Sequence, residues 1–279
     1  MSNIKIVTDS SCTMDPKLIS DLDITVVPLS VMLDGVMYTA DENFDNVQFM
    51  KLMAESNALP KTSQPPIGVF AETYEKLTAD GSTVISIHLT EKLSGTVEAA
   101  RQASHLVKGK VIIVDSNFID QSLAQQVIMA AQLAQQGRDE AEIVAATKSI
   151  AQRSKLFIGI SNLENLIKGG RISKAKGVVT TLFNIKLVLE LKDGNFEPVA
   201  KGRGSKTFFK WLQELKRELQ NQTVEKMGIS YAGDASLAKE IAGELQELFP
   251  NLEIPVFHTN PVVATHAGDG AFAIMYYTK

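Results

Sequence analysis

The chemistry that this sequence offers is concentrated where a strand gives way to a helix, at Ser94-Gly95-Thr96. The preceding run TVISIH, residues 83–88, alternates apolar and polar residues as a half-buried strand does, and the segment after Thr96 has apolar residues at helical spacing. Ser94 at this junction has three interpretations. It could act as a nucleophile, it could cap the helix by accepting a hydrogen bond from a backbone N–H, or it could hold an anion together with Thr96 and the helix dipole.

The nucleophile is the weakest of the three interpretations on local sequence. A nucleophile elbow requires a glycine two residues before the serine, and Lys92 stands there. The chain contains four histidines, so an esterase or thioesterase that uses Ser94 and His266 is kept as the rival hypothesis. A cap is the commonest role of serine at such a junction, and an anion site needs the same geometry. The local sequence leaves the cap and the anion site open.

Other hydrogen-bonding residues stand in predicted turns. Thr62 and Ser63 lie in KTSQPP, residues 61–66, which the prolines predict to be an extended turn that leads into a helix. His266 has glycines nearby that would let a ligand come close. Cys12 has no CxxC partner, and no His, Asp and Glu cluster has metal-ligand spacing. The sequence therefore predicts no catalytic residue, metal or cofactor.

The elements that must position these residues alternate in type through the first half of the chain. Strand-like runs occupy residues 4–8, 24–33, 83–88 and 111–115. Helical segments separate them, which predicts an α/β fold, a mostly parallel α/β/α sandwich. Asp9-Ser10-Ser11 and Asp115-Ser116 each follow a strand, so we expect both at the carboxyl edge of the sheet, where ligands bind in such folds.

The pattern changes near residue 155. The Asp193-Gly194 hairpin signal separates two strand-like runs, and helical and strand-like segments continue to the C-terminus. We therefore predict an N-terminal α/β domain at residues 1–154 and a second α/β domain with antiparallel character at residues 155–279. A chain of 279 residues suits two domains of roughly 150 residues each.

The composition is that of an ordinary globular protein, with 44% hydrophobic and 22% charged residues and a net charge of −4. This balance argues against nucleic acid as a partner, because binding to phosphates needs an excess of Lys and Arg. No apolar run approaches the roughly 18 residues of a membrane span, and the N-terminus lacks the features of a secretory signal. With one cysteine suited to a reducing compartment, we expect a cytoplasmic protein.

Taken in order, the motifs along the chain resemble the DegV family of fatty-acid-binding proteins. They are KIVTDSS, TSQP, LSGT, VIIVDS, LENLIKGGRI, NIKLVLELKDG, KGR and HAGDG. The resemblance implies two α/β domains with a long-chain fatty acid bound between or within them. It also implies that the chain is a carrier rather than an enzyme, namely the acyl-carrying subunit of a bacterial fatty acid kinase system.

The implied partners follow from that role. An ATP-dependent fatty acid kinase subunit would phosphorylate the bound carboxyl group, and an acyltransferase would take the acyl phosphate into phospholipid synthesis. Such a carrier would also make transient contact with a membrane surface. A lipid-sensing regulatory module would share the same pocket and is the third hypothesis.

The resemblance also implies roles for individual residues. Thr62 and Ser94 match family positions that hold the fatty acid carboxylate, and His266 matches a third head-group contact. The residues beside them are assigned to the same site: Ser63, Gly95 and Thr96.

Two basic residues match positions near the head group or at the face that meets the kinase, namely Arg171 and Arg203. The sequence also departs from the family pattern. Asp269 and Leu187 stand where a proline is usual, and the segment 116–126 lacks the usual glycines. The last departure bears on the shape of the acyl pocket.

Overall fold

The computed structural model of this chain describes residues 3–40, 44–56, 58–171 and 185–279. The chain forms two compact units, each built from two segments of sequence. The first unit contains residues 1–44 and 62–152, and the second contains residues 45–61 and 153–279. The last boundary lies two residues before the predicted one, whereas no sequence pattern indicates that residues 45–61 belong to the second unit.

The described strands and helices, in chain order, are as follows. The strands are β1 (Ile4–Asp9), β2 (Ile24–Val27), β3 (Ser30–Leu33), β4 (Val36–Thr39), β5 (Lys61–Ser63), β6 (Thr83–His88), β7 (Val111–Asp115), β8 (Ser154–Ile160), β9 (Ile185–Lys192), β10 (Asn195–Arg203), β11 (Val224–Tyr231), β12 (Val256–His258) and β13 (Phe272–Thr278). The helices are α1 (Pro16–Asp21), α2 (Asn46–Glu55), α3 (Ile67–Thr78), α4 (Thr96–Ser104), α5 (Asp120–Gln135), α6 (Glu140–Arg153), α7 (Glu164–Lys168), α8 (Lys206–Leu219), α9 (Ser236–Leu248) and α10 (Pro261–Ala267).

The first unit is built around a four-stranded parallel sheet in the order β2-β1-β6-β7. Helices α3 and α4 cover one face, where Val7 packs against Phe70 and Tyr74, and α5 packs against β1 and β6. Asp9 and Asp115 lie at the carboxyl ends of their strands. The predicted α/β fold and the predicted carboxyl edge are confirmed.

Three predictions for the first unit were wrong in detail. The run 24–33 is two strands in different sheets, because Pro28 has no N–H to continue a ladder, and β3 joins a small sheet in the order β4-β3-β5. Residues 61–63 form strand β5 of that small sheet rather than a turn. Strand β6 is buried along its whole length, because it lies between β1 and β7 and both of its faces are covered.

The second unit contains a six-stranded sheet in the order β10-β9-β8-β13-β11-β12. Its pairings are antiparallel except that β11 and β12 are parallel, which confirms the predicted antiparallel character. Asp193 and Gly194 both have positive φ, as the tight β9–β10 turn requires. The apolar faces of α8 and α9 supply much of the core, with Trp211 and Ile241 among the buried side chains.

The segment 45–61 belongs to the second unit through α2, which packs against α10. The Asn165 amide nitrogen lies 3.9 Å from the Met53 sulfur of α2 and 2.9 Å from the carbonyl oxygen of Thr265 in α10. The motif LENLIKGGRI contains α7, and its last position, 172, lies outside the described residues.

Candidate functional site

The junction between β6 and α4 brings the hydroxyls of Ser94 and Thr96 together. Their oxygens lie 2.9 Å apart, and either hydroxyl can donate the hydrogen bond. Thr96 is fully buried and Ser94 is half-buried, so the Ser94 oxygen is the one of the two that is open to a ligand. The first intrahelical bond of α4 runs from the amide of Ala99 to the carbonyl of Gly95, at 2.9 Å. The amides that precede Ala99 therefore have no intrahelical acceptor.

Ser94 does not cap this helix. Gly95 is the N-cap residue, and no side chain in the described part of the chain accepts a capping bond there. The Thr96 nitrogen lies 3.4 Å from the Ser94 oxygen, which exceeds the usual range of about 2.7–3.2 Å. The interpretation of Ser94 as the helix cap is therefore wrong, because the helix begins one residue later than that role requires and the hydroxyl is paired with Thr96.

The segment that carries Thr62 and Ser63 approaches Gly95 closely. A Cβ atom at position 95 would lie 2.0 Å from Oε1 of Gln64. Thr62 is half-buried in β5, and Ser63 and Gln64 are exposed. The end of this segment therefore lies against the Ser94–Thr96 turn. Gln64 is a neighbour of the site, although the sequence analysis did not assign it to the site.

Two carboxylates at the carboxyl edge of the parallel sheet hold the loop that leads to Ser94. The amide of Leu89 donates to Asp9 Oδ2 at 3.0 Å, and the amide of Glu91 donates to Asp115 Oδ2 at 3.1 Å. Burial raises the pKa of Asp115, although the backbone amides that donate to it oppose the shift. The loop is thus fixed at its start by side chains from β1 and β7.

A chain of buried hydrogen bonds lies behind this loop. His88 Nδ1 lies 2.9 Å from Asp9 Oδ2, His88 Nε2 lies 2.7 Å from Ser86 Oγ, and the Tyr74 hydroxyl lies 2.8 Å from Ser86 Oγ. All four side chains are 0% exposed. Sequence reasoning missed this network, because it depends on β1 and β6 being neighbours in the sheet. The only signal was that an aspartate follows the predicted strand 4–8 and a histidine ends the predicted strand 83–88.

The order Asp9–His88–Ser86 is that of a catalytic triad, but a substrate cannot reach it. Ser86 lies within the fully buried strand β6, and its hydroxyl is held by both His88 and Tyr74. The hydroxyl of Ser94, in turn, is paired with another hydroxyl, which is no general base. Nothing in these contacts favours a serine nucleophile over an anion site.

In the second unit, His266 and Arg171 lie around Gly169. A Cβ atom on Gly169 would lie 2.4 Å from Nδ1 of His266, and Nη1 of Arg171 donates to the Gly169 carbonyl at 2.8 Å. Burial, together with the charge of Arg171, lowers the pKa of His266 to about 4. Burial also lowers the pKa of Arg171 from its ordinary value, without removing its charge at neutral pH. The imidazole is therefore neutral at pH 7 beside a cation.

Arg203 is exposed at the end of β10, where its residue pairs with Ile185 of β9. A Cβ atom on the preceding Gly202 would lie 2.5 Å from the Thr207 hydroxyl, so the chain passes closely over the start of α8 at this point. The arginine is thus presented to solvent from the last residue of β10.

The other candidates were tested across the described residues. No group of three or more His, Cys, Asp or Glu side chains there is placed to hold a metal ion. Within the same residues, no helix has both the length and the apolar character needed to cross a bilayer. Burial and the nearby charge of Asp9 raise the pKa of the Cys12 thiol well above its usual range, which supports the interpretation that this cysteine is unreactive.

Comparisons with known proteins bear on the whole chain. A family model described as "Uncharacterised protein, DegV family" matches residues 3–279. A DegV domain-containing protein of Streptococcus pneumoniae (strain ATCC BAA-255 / R6) is 48% identical over 275 residues, which cover 99% of this chain and 98% of that protein.

Two solved structures share the fold over their full length. DegV from Bacillus subtilis, described as a fatty acid binding protein, has a TM-score of 0.92 at 28% identity and covers 100% of both chains. A DegV family protein from Thermus thermophilus, described by its fatty acid binding, has a TM-score of 0.90 at 28% identity and covers 99% of this chain and 100% of its own. The chain belongs to the DegV family.

Proposed function

We propose that this chain binds a long-chain fatty acid and holds its carboxylate at the Ser94–Thr96 turn. The observation that carries the proposal is the pair of hydroxyls at the start of α4, 2.9 Å apart, beside amides that lack an intrahelical acceptor. A carboxylate taken out of water needs such donors, since an unpaired buried charge is costly. Two relatives of the same fold are described as fatty acid binding, which supports the choice of ligand.

We assign Thr62 and Ser63 to the same carboxylate site. The next residue, Gln64, lies directly over Gly95, so this segment reaches the turn that carries Ser94. His266 is assigned to the head group on the family resemblance. Its neutral imidazole can donate one N–H to a carboxylate.

The acyl chain supplies most of the affinity in this proposal. Burying about fifteen methylenes at ~0.8 kcal/mol each yields roughly 12 kcal/mol before the costs of ordering the ligand. The hydroxyls then orient the carboxyl group and distinguish an acid from a neutral lipid. A binding site of this kind needs no cofactor and no catalytic residue.

We infer further that the chain is a cytoplasmic carrier for an ATP-dependent fatty acid kinase. It presents the carboxyl group to the kinase subunit and retains the acyl phosphate for an acyltransferase of phospholipid synthesis. Arg171 and Arg203 serve this transfer, because a guanidinium binds phosphoryl oxygens or an acidic partner surface. Val36 and Met37 of the β3–β4 hairpin are 51% and 56% exposed, which suits a transient contact with a membrane surface.

Mass spectrometry under denaturing conditions, on lipids extracted from the purified protein, tests the first part. We expect a long-chain fatty acid in near-equal molar amount to the protein. A protein that is empty and takes up neither oleate nor palmitate would refute the proposal. Incubating the loaded protein with a fatty acid kinase and ATP tests the second part, with acyl phosphate as the expected product.

A further inference from the structure

The first two turns of α5 bury polar side chains in the core of the first unit. Ser122 and Gln126 are both 0% exposed and lie one turn apart on the helix. Within the part of the chain that the structure describes, the Ser122 hydroxyl oxygen and Gln126 Oε1 have no hydrogen-bond partner. Proteins normally supply a partner to such buried atoms from the chain, from water or from a ligand.

The contacts of Gln126 fix the direction of its amide. Its Nε2 donates to the carbonyl oxygen of Ser116 at 3.0 Å and lies 3.3 Å from that of Ser122. Both neighbours are acceptors, so the nitrogen cannot be exchanged with the oxygen. Oε1 therefore points away from these carbonyls, and only a hydrogen-bond donor could pair with it.

A third buried polar atom comes from the sheet. Val7 faces α3 and α4, and side chains alternate along a strand, so Thr8 faces the other side, where α5 packs against β1. Thr8 is 0% exposed, and among the described residues its hydroxyl hydrogen-bonds only to the Cys12 thiol. That thiol is protonated, because its pKa is raised well above the usual range, and a neutral thiol is only a weak hydrogen-bonding group.

We propose that Thr8, Ser122 and Gln126 receive a hydroxyl carried partway along the acyl chain, so that the ligand is a hydroxylated long-chain fatty acid. This inference rests on the proposed function. A hydroxyl both donates and accepts, so it can donate to Gln126 Oε1 while accepting from Ser122 or Thr8. An unsubstituted chain would leave the Ser122 hydroxyl and Gln126 Oε1 unpaired and Thr8 with only the thiol, and a ketone would place a second acceptor against Oε1.

Competition binding to the wild-type protein tests the proposal without any substitution. The competitors are stearic acid, its 3-, 10- and 12-hydroxy derivatives, and the matching keto acids. We expect one hydroxy isomer to bind about tenfold more tightly than stearic acid, and its keto counterpart to lose most of that advantage. Stearic acid binding as tightly as or more tightly than every hydroxy isomer would overturn the proposal and indicate that water satisfies these atoms.

Near-isosteric variants then assign the preference to these residues. Thr8→Val, Ser122→Ala and Gln126→Met each remove one hydrogen-bonding atom, and each should reduce the preference for the hydroxy acid at least threefold. Gln135→Met is the matched control, because Gln135 lies at the far end of α5 and donates to the carbonyl of Asp21. An unchanged preference in all three variants would contradict the assignment.

The outcomes separate this inference from the proposed function. If stearic acid binds and no hydroxy isomer binds better, the chain is a fatty acid carrier and only the present inference fails. If no acid of either kind binds, the proposed function itself fails and this inference fails with it.

Discussion

The two faces of the parallel sheet differ in how far their buried polar groups are hydrogen-bonded. On the face covered by α3 and α4, Asp9, His88, Ser86 and Tyr74 are joined in one chain of hydrogen bonds. On the face covered by α5, buried polar atoms of Ser122 and Gln126 lack a partner in the described chain, and the Thr8 hydroxyl has only the Cys12 thiol. Polar residues are thus buried on both faces, and the difference lies in whether the protein itself satisfies them.

The difference separates a structural network from a candidate binding surface. A fully hydrogen-bonded polar network stabilises and specifies a fold, whereas a partly satisfied one is costly until another molecule completes it. A search for chemically interesting residue types would select Asp9, His88 and Ser86, since they have the order of a catalytic triad. A search for buried polar atoms that lack a partner selects instead the α5 face, and the half-buried Ser94 at the sheet edge is the other candidate binding residue.

Breaking the satisfied network should have the largest effect on stability. His88→Gln breaks the hydrogen bonds of His88 to the buried Asp9 carboxylate and to Ser86, which together are worth about 2–4 kcal/mol. Asp9 keeps the amides of Ser11 and Leu89 as donors. Urea denaturation at pH 7 measures the change in the free energy of unfolding. The exposed His105→Gln is the control and should change it by less than about 0.5 kcal/mol. A loss below about 1 kcal/mol for His88→Gln would mean that the network is not a structural element.

The pH dependence of stability tests a half-buried polar residue of the second unit, His266. His266 has an ordinary pKa of 6.5 when unfolded and one of about 4 when folded, so above pH 6.5 it contributes no pH dependence. As the pH falls from 6.5 towards 4, the unfolded chain takes up a proton that the folded chain does not. The free energy of unfolding should therefore fall by about 2.5 kcal/mol between pH 7 and pH 4.5 through this residue.

Urea unfolding at those two pH values, in wild type and in His266→Gln, isolates the contribution. The variant should lose about 2.5 kcal/mol less on acidification than the wild type does. Equal losses in the two proteins would show that His266 is not held neutral by the fold.

Adding a methyl group at Gly95 separates an effect on ligand binding from an effect on stability. Gly95 has a φ of −77°, which alanine adopts readily, but the new Cβ would displace the Gln64 side chain. Gly95→Ala should therefore weaken fatty acid binding about tenfold, which is about 1.4 kcal/mol, with little loss of stability. Gly68→Ala is the control, since nothing lies within 4 Å of a Cβ there.

A fluorescent fatty acid titration measures both variants. The double change Gln64→Ala with Gly95→Ala should recover part of the affinity, because it removes the clash. If Gly95→Ala binds as the wild type does, the Ser94 turn is not where the ligand binds.

The smallest effects on binding are expected from the two arginines. Arg171→Ala and Arg203→Ala should change fatty acid affinity less than about twofold and slow kinase-dependent acyl phosphate formation at least tenfold. The exposed Arg217→Ala on α8 serves as the control. Equal losses of binding and of phosphorylation would assign the arginines to the carboxylate site instead.

The sequence predicted the fold where periodicity is strong and local. The change of period at Ser94-Gly95-Thr96 located the start of α4, and the Asp193-Gly194 signal located the β9–β10 hairpin. The sequence-based prediction failed where contacts between residues distant in sequence determine the structure. Neither the separation of β2 and β3 into different sheets nor the packing of α2 in the second unit leaves a mark in the local pattern.

The site was predictable in residue type but not in geometry. A serine and a threonine at a strand-to-helix junction indicated an anion site, and the structure pairs their hydroxyls. The pattern could not tell that the helix begins at Thr96, which makes Gly95 the N-cap. The sequence likewise could not show that polar atoms of Ser122 and Gln126 lack hydrogen-bond partners, because that depends on how the core packs.

The central claim is that the Ser94 hydroxyl binds a fatty acid carboxylate. Its most direct test compares oleic acid with oleyl alcohol, as competitors for a fluorescent fatty acid, in wild type and in Ser94→Ala. Ser236→Ala, at the start of α9, is the matched control. One hydrogen bond to a charged group is worth about 1.5–3 kcal/mol, so the wild type should prefer the acid and Ser94→Ala should lose ten- to a hundredfold in affinity for the acid alone. Equal affinities for acid and alcohol in the wild type, or an unchanged preference in Ser94→Ala, would contradict the account.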